Sequence, residues 1–208
     1  SDGELSDSQT FTLTVTPVND APTIDSVSDQ EMDEDTTIEV ALFGDDIDEE
    51  DVLLFSVDSV DPAEYASVSV VGNILTIAPV ENYNGLLSIT VSVSDISLES
   101  ASTSFEVTVN PVNDAPVLSQ INDQVIDEDT SLPLALSATD IDLDDLTYSA
   151  GVTGNATVDV VDNQLTVDPY DNFNGIIEVT VVVSDGELSD SQTFTLTVTP
   201  VNDAPTID

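Results

Sequence analysis

The phrase PVNDAP is spelled three times, at residues 17–22, 111–116 and 200–205, so the chain repeats itself with periods of 94 and then 89 residues. Recurrence at this length confines the fold to units of about 90 residues, each large enough to bury a core of its own. Residues 1–25, SDGELSDSQTFTLTVTPVNDAPTID, return unchanged as residues 184–208. The middle counterpart, SDISLESASTSFEVTVNPVNDAP from Ser94, is related but not identical. The phasing predicts closing strands of a preceding repeat over 1–20, complete repeats over 21–114 and 115–203, and the start of a further repeat at 204–208.

Within one period the apolar residues alternate. TFTLTVT places Phe11, Leu13 and Val15 on one face, LLSITVSVS does so with Leu87, Ile89, Val91 and Val93, and GIIEVTVVVS with Ile177, Val179, Val181 and Val183. Further runs at 37–42, 52–57, 67–71, 74–78 and 103–109 bring the count to about seven short strands per period, separated by Asp, Asn, Gly and Pro. No window carries a helical face. The pattern predicts an all-β chain of tandem seven-stranded Greek-key β-sandwiches joined end to end by short acidic linkers. Pro22, Pro116 and Pro205 fix their own φ and hold the preceding Ala extended, so the repeated phrase reads as a stiff connector.

Charge narrows the chemistry. The sequence holds no Lys, Arg, His or Cys against 43 Asp and Glu, a formal charge of −43 that no side chain can neutralise. Two carboxylates about 4 Å apart repel by roughly 4 kcal/mol at the effective dielectric of a protein surface. Clustered acids therefore oppose folding unless cations sit among them. The acids are clustered: DDIDEED at 45–51 holds six in seven positions, EMDED at 31–35 four in five, and Asp140, Asp142, Asp144 and Asp145 crowd DIDLDD. The strand segments 86–94 and 176–183 hold one between them, Glu178. An oxygen-only donor set of this density suits Ca²⁺, and without His or Cys it is a poor match for a structural zinc or copper site. DIDLDD opens like a helix-flanked calcium loop but has Asp145 where the sixth-position glycine belongs and Gly151 in place of the final Glu. No Gly-Gly pair supports a calcium-binding β-helix. A site assembled from distant segments remains.

The order VNDAP, DED, ATDID, VSDG, a last strand and VNDAP again resembles the bacterial cadherin-like tandem repeats of giant calcium-dependent surface adhesins, over essentially the whole chain. The resemblance implies calcium ions between consecutive domains, held by the base of one, the connector and the top of the next. It assigns Glu34, Glu81, Asn113, Asp114, Asp140, Asp142 and Asp185 to the junction of the two complete repeats. Asn19, Asp20, Asp46, Asp48 and Asp95 fall to the upstream junction, and Glu128, Asp171, Asn202 and Asp203 to the downstream one. The chain departs from the family where an acid-arginine-acid triplet is replaced by ENYNG and DNFNG, around Glu81 and Asp171, and where Ile96 takes the place that Gly3 and Gly186 hold beside their aspartates.

Catalysis has little to work with: no His or Cys, no Lys for a Schiff base, no Arg clamp and no phosphate-binding glycine loop. Nucleic acid and anionic lipid are excluded as partners on charge, and no stretch is apolar enough for direct membrane insertion. The sequence is thus expected to be a non-enzymatic, calcium-rigidified spacer of a long extracellular adhesin or fibre, on a bacterial surface or secreted, supporting attachment. Its expected partners are neighbouring repeats of the same chain, with homophilic or lateral filament contacts open. The alternative is a glycan- or protein-binding module whose loops carry recognition, with Tyr83, Tyr148 and Tyr170 as stacking candidates.

Overall fold

In the computed structural model, which describes residues 3, 7–48, 52–202 and 204, runs of alternating apolar residues form strands where a neighbouring strand takes up their backbone hydrogen bonds. The chain divides into two units, Ser1–Pro111 and Val112–Asp208, each with its own core.

The first unit contains β1 (Thr23–Ile24), β2 (Gln30–Asp33), β3 (Ile38–Ala41), β4 (Gly44–Asp45), β5 (Leu54–Asp61), a 3-10 turn at Ala63–Tyr65, β6 (Ala66–Val71), β7 (Ile74–Pro79), β8 (Gly85–Ser94) and β9 (Ser100–Asn110). One sheet runs β2-β9-β8-β5, with β2 parallel to β9; the facing sheet runs β3-β7-β6; β1 and β4 form a short ladder of their own. β8 buries Leu87, Ile89, Val91 and Val93, and β9 opposes them with Phe105, Val107 and Val109. Each such side chain contributes about 1.5–3 kcal/mol on burial. On the other face, hydroxyls pair across strands, Thr90 with Ser104 and Ser56 with Ser92, both at 2.9 Å.

The second unit repeats the plan with β10 (Val117–Leu118), β11 (Gln124–Asp127), β12 (Leu132–Ala135), β13 (Ala138–Thr139), β14 (Thr147–Val152), β15 (Ala156–Val161), β16 (Gln164–Pro169), β17 (Gly175–Ser184) and β18 (Ser189–Thr199). Its sheets are β11-β18-β17-β14, β12-β16-β15 and β10-β13. In both units the first strand, which the alternation does not mark, is split, because the chain leaves its short ladder and crosses to lie parallel to the last strand. The second strand is split as well, and its two halves flank a buried leucine, Leu42 or Leu136.

That leucine is clasped from the neighbouring hairpin. The β6–β7 turn uses Gly72 at φ 64° and the β15–β16 turn uses Asp162 at φ 54°, the left-handed geometry that tight hairpins require. The next residue then reaches across: the Asn73 amide donates to the Leu42 carbonyl at 3.1 Å and the Leu42 N–H donates to the Asn73 carbonyl at 2.8 Å. Asn163 and Leu136 repeat this at 3.0 and 2.8 Å. The clasp fixes the chain just ahead of the acidic loops at 45–48 and 140–145.

The strand expected at 10–16 does not form. Residues 7–22 carry no strand, and Phe11 is 83% exposed, with Leu13 and Val15 equally open. The identical residues in β18 are fully strand, and Phe194 is 2% exposed. The difference lies in partners: β17 and β11 flank β18, whereas among the described residues no strand pairs with residues 10–16. Phe194→Ala is expected to destabilise the second unit by about 3–5 kcal/mol, whereas Phe11→Ala stays within about 0.5 kcal/mol. Calorimetric unfolding of the two variants checks this, and equal effects would contradict it.

Candidate metal centre

In the second unit, three segments distant in sequence converge at the end where the chain enters. The Asn113 side-chain amide donates to Asp185 Oδ2 at 3.0 Å, the Asp114 N–H donates to Asp142 Oδ2 at 2.8 Å, and the Asp142 N–H donates to Asp140 Oδ1 at 2.9 Å. Asp185 Oδ1 in turn accepts the N–H groups of Glu187 and Leu188, closing the loop after β17. Asp140 and Asp142 thus each spend one oxygen on a backbone donor, which orients the other, while Asp185 accepts with both.

The first unit builds the same arrangement. The Asn19 amide donates to Asp95 Oδ2 at 2.8 Å, the Asp20 N–H to Asp48 Oδ2 at 2.9 Å and the Asp48 N–H to Asp46 Oδ1 at 2.9 Å, while Asp95 Oδ1 accepts the Glu99 N–H. Ile96, standing where the second unit has Gly186, leaves the Asp95 loop intact, with Leu98 instead taking the positive φ of 69°. The structure therefore brings together Asn19, Asp20, Asp46, Asp48 and Asp95 in the first unit, and in the second Asn113, Asp114, Asp140, Asp142 and Asp185, five of the seven residues expected at that junction.

Glu34 and Glu128 lie at the other end of their own units and are buried, 2% and 6% exposed. Asn84 donates its amide to Glu34 Oε2 at 3.3 Å, and Asn174 does the same for Glu128 Oε2 at 3.2 Å. Glu128 Oε1 also accepts the Val201 N–H at 2.6 Å. The turn that carries these asparagines is pinned by the neighbouring acid: the Asn82 N–H donates to Asp35 at 2.9 Å and the Asn172 N–H to Asp129 at 2.8 Å. Gly85 and Gly175, at φ 145° and 144°, let the turn fold under Tyr83 and Phe173, where an added Cβ would meet the Tyr83 hydroxyl at 2.9 Å and the Phe173 ring at 3.1 Å. Glu81 and Asp171 are exposed and Asn202 is exposed; Asp203 lies outside the described residues. The asparagines of ENYNG and DNFNG, read from sequence as turn formers, are the ones that reach the buried glutamates.

Asp144 is a further candidate that the expected ligand set left out. Asp140, Asp142 and Asp144 each present an oxygen within 4.8 Å of the others. Although Asp144 is largely exposed, lost hydration, followed by the charges of Asp140, Asp142, Asp185 and Glu187, pushes its carboxyl above the usual range. Asp140 Oδ2 and its counterpart Asp46 Oδ2 are buried and accept no hydrogen bond. A buried oxygen left so is costly, and no Lys, Arg or His exists to relieve it. These donors fit a hard cation: all are oxygens, several charged, and those of Asp46, Asp48, Asp140 and Asp142 are pre-aimed by a bond to the other oxygen. They do not fit zinc or copper.

The model of the bacterial Ig domain matches residues 19–110 and again residues 113–199. The chain belongs to the bacterial Ig domain family. Its two tandem Ig repeats also share their fold with human cadherin ectodomains. The protocadherin-24 EC1-2 structure matches with a TM-score of 0.54 at 16% identity, covering 89% of this chain and 100% of that one. The desmocollin-1 ectodomain matches with a TM-score of 0.52 at 16% identity, covering 91% of this chain and 43% of that one. The Ig repeats thus span less than half the desmocollin ectodomain, and at such identity the likeness is one of fold. No curated protein matches the chain. Bacterial Ig domains are typically non-enzymatic parts of extracellular, adhesin-type surface proteins. No helix among the described residues is long and apolar enough to cross a membrane.

The Asn-to-Asp bonds also predict a titration. The Asn113 amide, opposed by burial and aided by the N–H groups of Leu188 and Glu187, holds the Asp185 carboxyl below the ordinary range, and Asn19 does likewise for Asp95. A depressed folded-state pKa stabilises fully above the unfolded value of about 3.9 and is lost as pH falls through the folded value. In metal-free protein, Asn113→Ala is expected to move the Asp185 titration up toward about 3.9, read by carboxyl-carbon NMR. An unmoved titration would show that this bond does not set the Asp185 charge.

Proposed function

We propose that the two Ig repeats are a calcium-stiffened spacer of a long surface adhesin or fibre, outside the bacterial cell. The observation that carries this reading is the recurrence of one donor set in both units, each with a buried, unshared oxygen on its first aspartate, Asp46 or Asp140. A solvated acidic surface would have no reason to bury that oxygen twice in the same place.

Calcium, when bound, supplies the positive charge that the sequence lacks. The chain does the rest. Asn113 and Asp114 belong to the connector phrase, and their bonds to Asp185 and Asp142 fasten that phrase onto the unit that follows it; Asn19 and Asp20 do the same through Asp95 and Asp48. A cation drawing Asp140, Asp142 and Asp144 together removes their mutual repulsion and holds the connector where those bonds put it. We assign Asn19, Asp20, Asp46, Asp48, Asp95, Asn113, Asp114, Asp140, Asp142, Asp144 and Asp185 as ligands or as residues that orient them, with Glu34 and Glu128 as carboxylate ligands at the leaving ends of their units. Connectors fixed in this way let many repeats in series act as one extended body, the role expected of a spacer between a cell and its target. Extracellular modules of this type bind at about 10⁻⁴–10⁻³ M, a range met outside cells and not in cytosol.

At 10 mM calcium such affinities stabilise the folded state by about 1.4–2.7 kcal/mol per ion. Melting temperatures are therefore expected to rise by at least about 5 °C over the chelated protein, and small-angle scattering to report a narrower distribution of particle lengths. Asp140→Asn should leave the chelated melting temperature equal or higher, since it removes repulsion, while shrinking the calcium-dependent rise. Superimposable melting and scattering curves in calcium and chelator would refute the spacer reading.

A further inference from the structure

The first unit holds a pair of phenols that the second unit lacks. Tyr65 ends the 3-10 turn between β5 and β6, and Tyr83 stands in the turn between β7 and β8. Their rings lie face to face, with centroids 4.6 Å apart and planes inclined by 11°. Backbone bonds hold both in place: the Val80 N–H donates to the Tyr65 carbonyl at 2.8 Å, and the Tyr83 N–H donates to the Val80 carbonyl at 3.0 Å. The Tyr83 hydroxyl donates to the Leu86 carbonyl at 3.1 Å, whereas Tyr65 is 42% exposed and open to reagents in solution. In the second unit the same two backbone bonds run from Tyr170 to Asn155 and from Phe173 to Tyr170, so Asn155 and Phe173 take the places of Tyr65 and Tyr83. Phe173 packs against its core as Tyr83 does. Folding therefore asks for a ring at one of these positions and for a phenol at neither.

We propose that Tyr65 and Tyr83 are a site of oxidative cross-linking, joined ring to ring as a dityrosine by a peroxide-using one-electron oxidant of the haem peroxidase class. Each phenol gives up one electron and one proton, and hydrogen peroxide takes up both pairs and leaves as two waters. The unpaired electron of each tyrosyl radical is shared with the ring carbons beside the oxygen, Cε1 and Cε2. A Cε of Tyr65 bonds to a Cε of Tyr83, and each of these carbons then releases its hydrogen as a proton while its phenol oxygen regains one. Two radicals on separate chains must first meet, but here the partner ring is already in contact, which is the advantage of an intramolecular reaction. Tyr65, on its exposed turn, is the ring with room to move from face contact to the edge contact that the new bond requires. The product is a covalent staple in a chain that has no Cys for a disulfide. It ties the turn before β6 to the turn before β8, and the latter delivers Asn84 to Glu34.

The test treats the full chain, in chelator at neutral pH, with a haem peroxidase and hydrogen peroxide. Dityrosine fluorescence is expected in the monomer fraction from size exclusion, with a yield per chain independent of protein concentration. Digestion beside Asp and Glu, followed by mass spectrometry, is expected to recover joined peptides that hold residues 65 and 83 and lack two hydrogens. Tyr65→Phe is expected to cut the monomer's dityrosine at least about tenfold, and Tyr148→Phe with Tyr170→Phe to leave it unchanged. Cross-linking is expected to raise the first unit's melting transition by at least about 5 °C and to leave the second unit's where it was. Monomers without dityrosine, a yield that survives Tyr65→Phe, a monomer linkage made mainly through Tyr148 or Tyr170, or a cross-linked first unit that melts where the untreated one does would each overturn the proposal.

Discussion

The constraint on which this structure rests is the absence of any side-chain cation. A chain with 43 carboxylates and no Lys, Arg or His must hold its acids with backbone N–H groups, asparagine amides and whatever cations the solution provides. The pattern of bonds follows from that shortage. Asp185 and Asp95 are each held by an asparagine of the connector, Asp140 and Asp46 by the N–H two residues on, and Glu128 and Glu34 by an asparagine of the turn before β17 or β8. Amides are weak partners for charge, since they orient an anion without cancelling it. That leaves oxygens aimed inward and a deficit of positive charge at the same spot, which is the condition for a cation site.

The sandwich supplies the rigidity that such a site needs. β8 and β17 bury an unbroken row of β-branched and leucine side chains, and the loops that follow them carry Asp95 and Asp185. The Asn73 and Asn163 clasps anchor the chain just before Asp46 and Asp140. Both halves of each donor set are therefore hung from well-packed elements, and only the connector residues arrive on a segment with few anchors of their own. On the proposed reading, a cation bound there would change the mechanics of the chain most.

Much of this was legible in the letters. Strict alternation over 86–94 and 176–183 specified β8 and β17 because a period of two buries one face and leaves hydroxyls on the other. The connector and acidic-loop residues that meet in the first unit, Asn19, Asp20, Asp46 and Asp48, have counterparts that meet in the second, Asn113, Asp114, Asp140 and Asp142, as the repeated phrases implied. What stayed hidden depended on neighbours. The same residues are strand at 189–199 and not at 7–16, since a strand is defined by its partners and sequence alone does not name them. The split of the first strand into β1 and β2 depends on which sheet edge lies nearest. Asn84 and Asn174 looked like turn residues, and only the fold brings their amides to buried glutamates. Glu81 and Asp171, suggested by resemblance, are exposed at the turns where the family's triplet has been replaced.

The central claim, that cations from solution complete these carboxylate sets, is tested most directly by anomalous diffraction from crystals grown in calcium. The account predicts peaks at Asp46 Oδ2 and Asp140 Oδ2, with metal–oxygen distances of about 2.3–2.6 Å and with Asp48 and Asp142 among the ligands. Featureless anomalous maps at both positions, with only ordered water beside those oxygens, would contradict it.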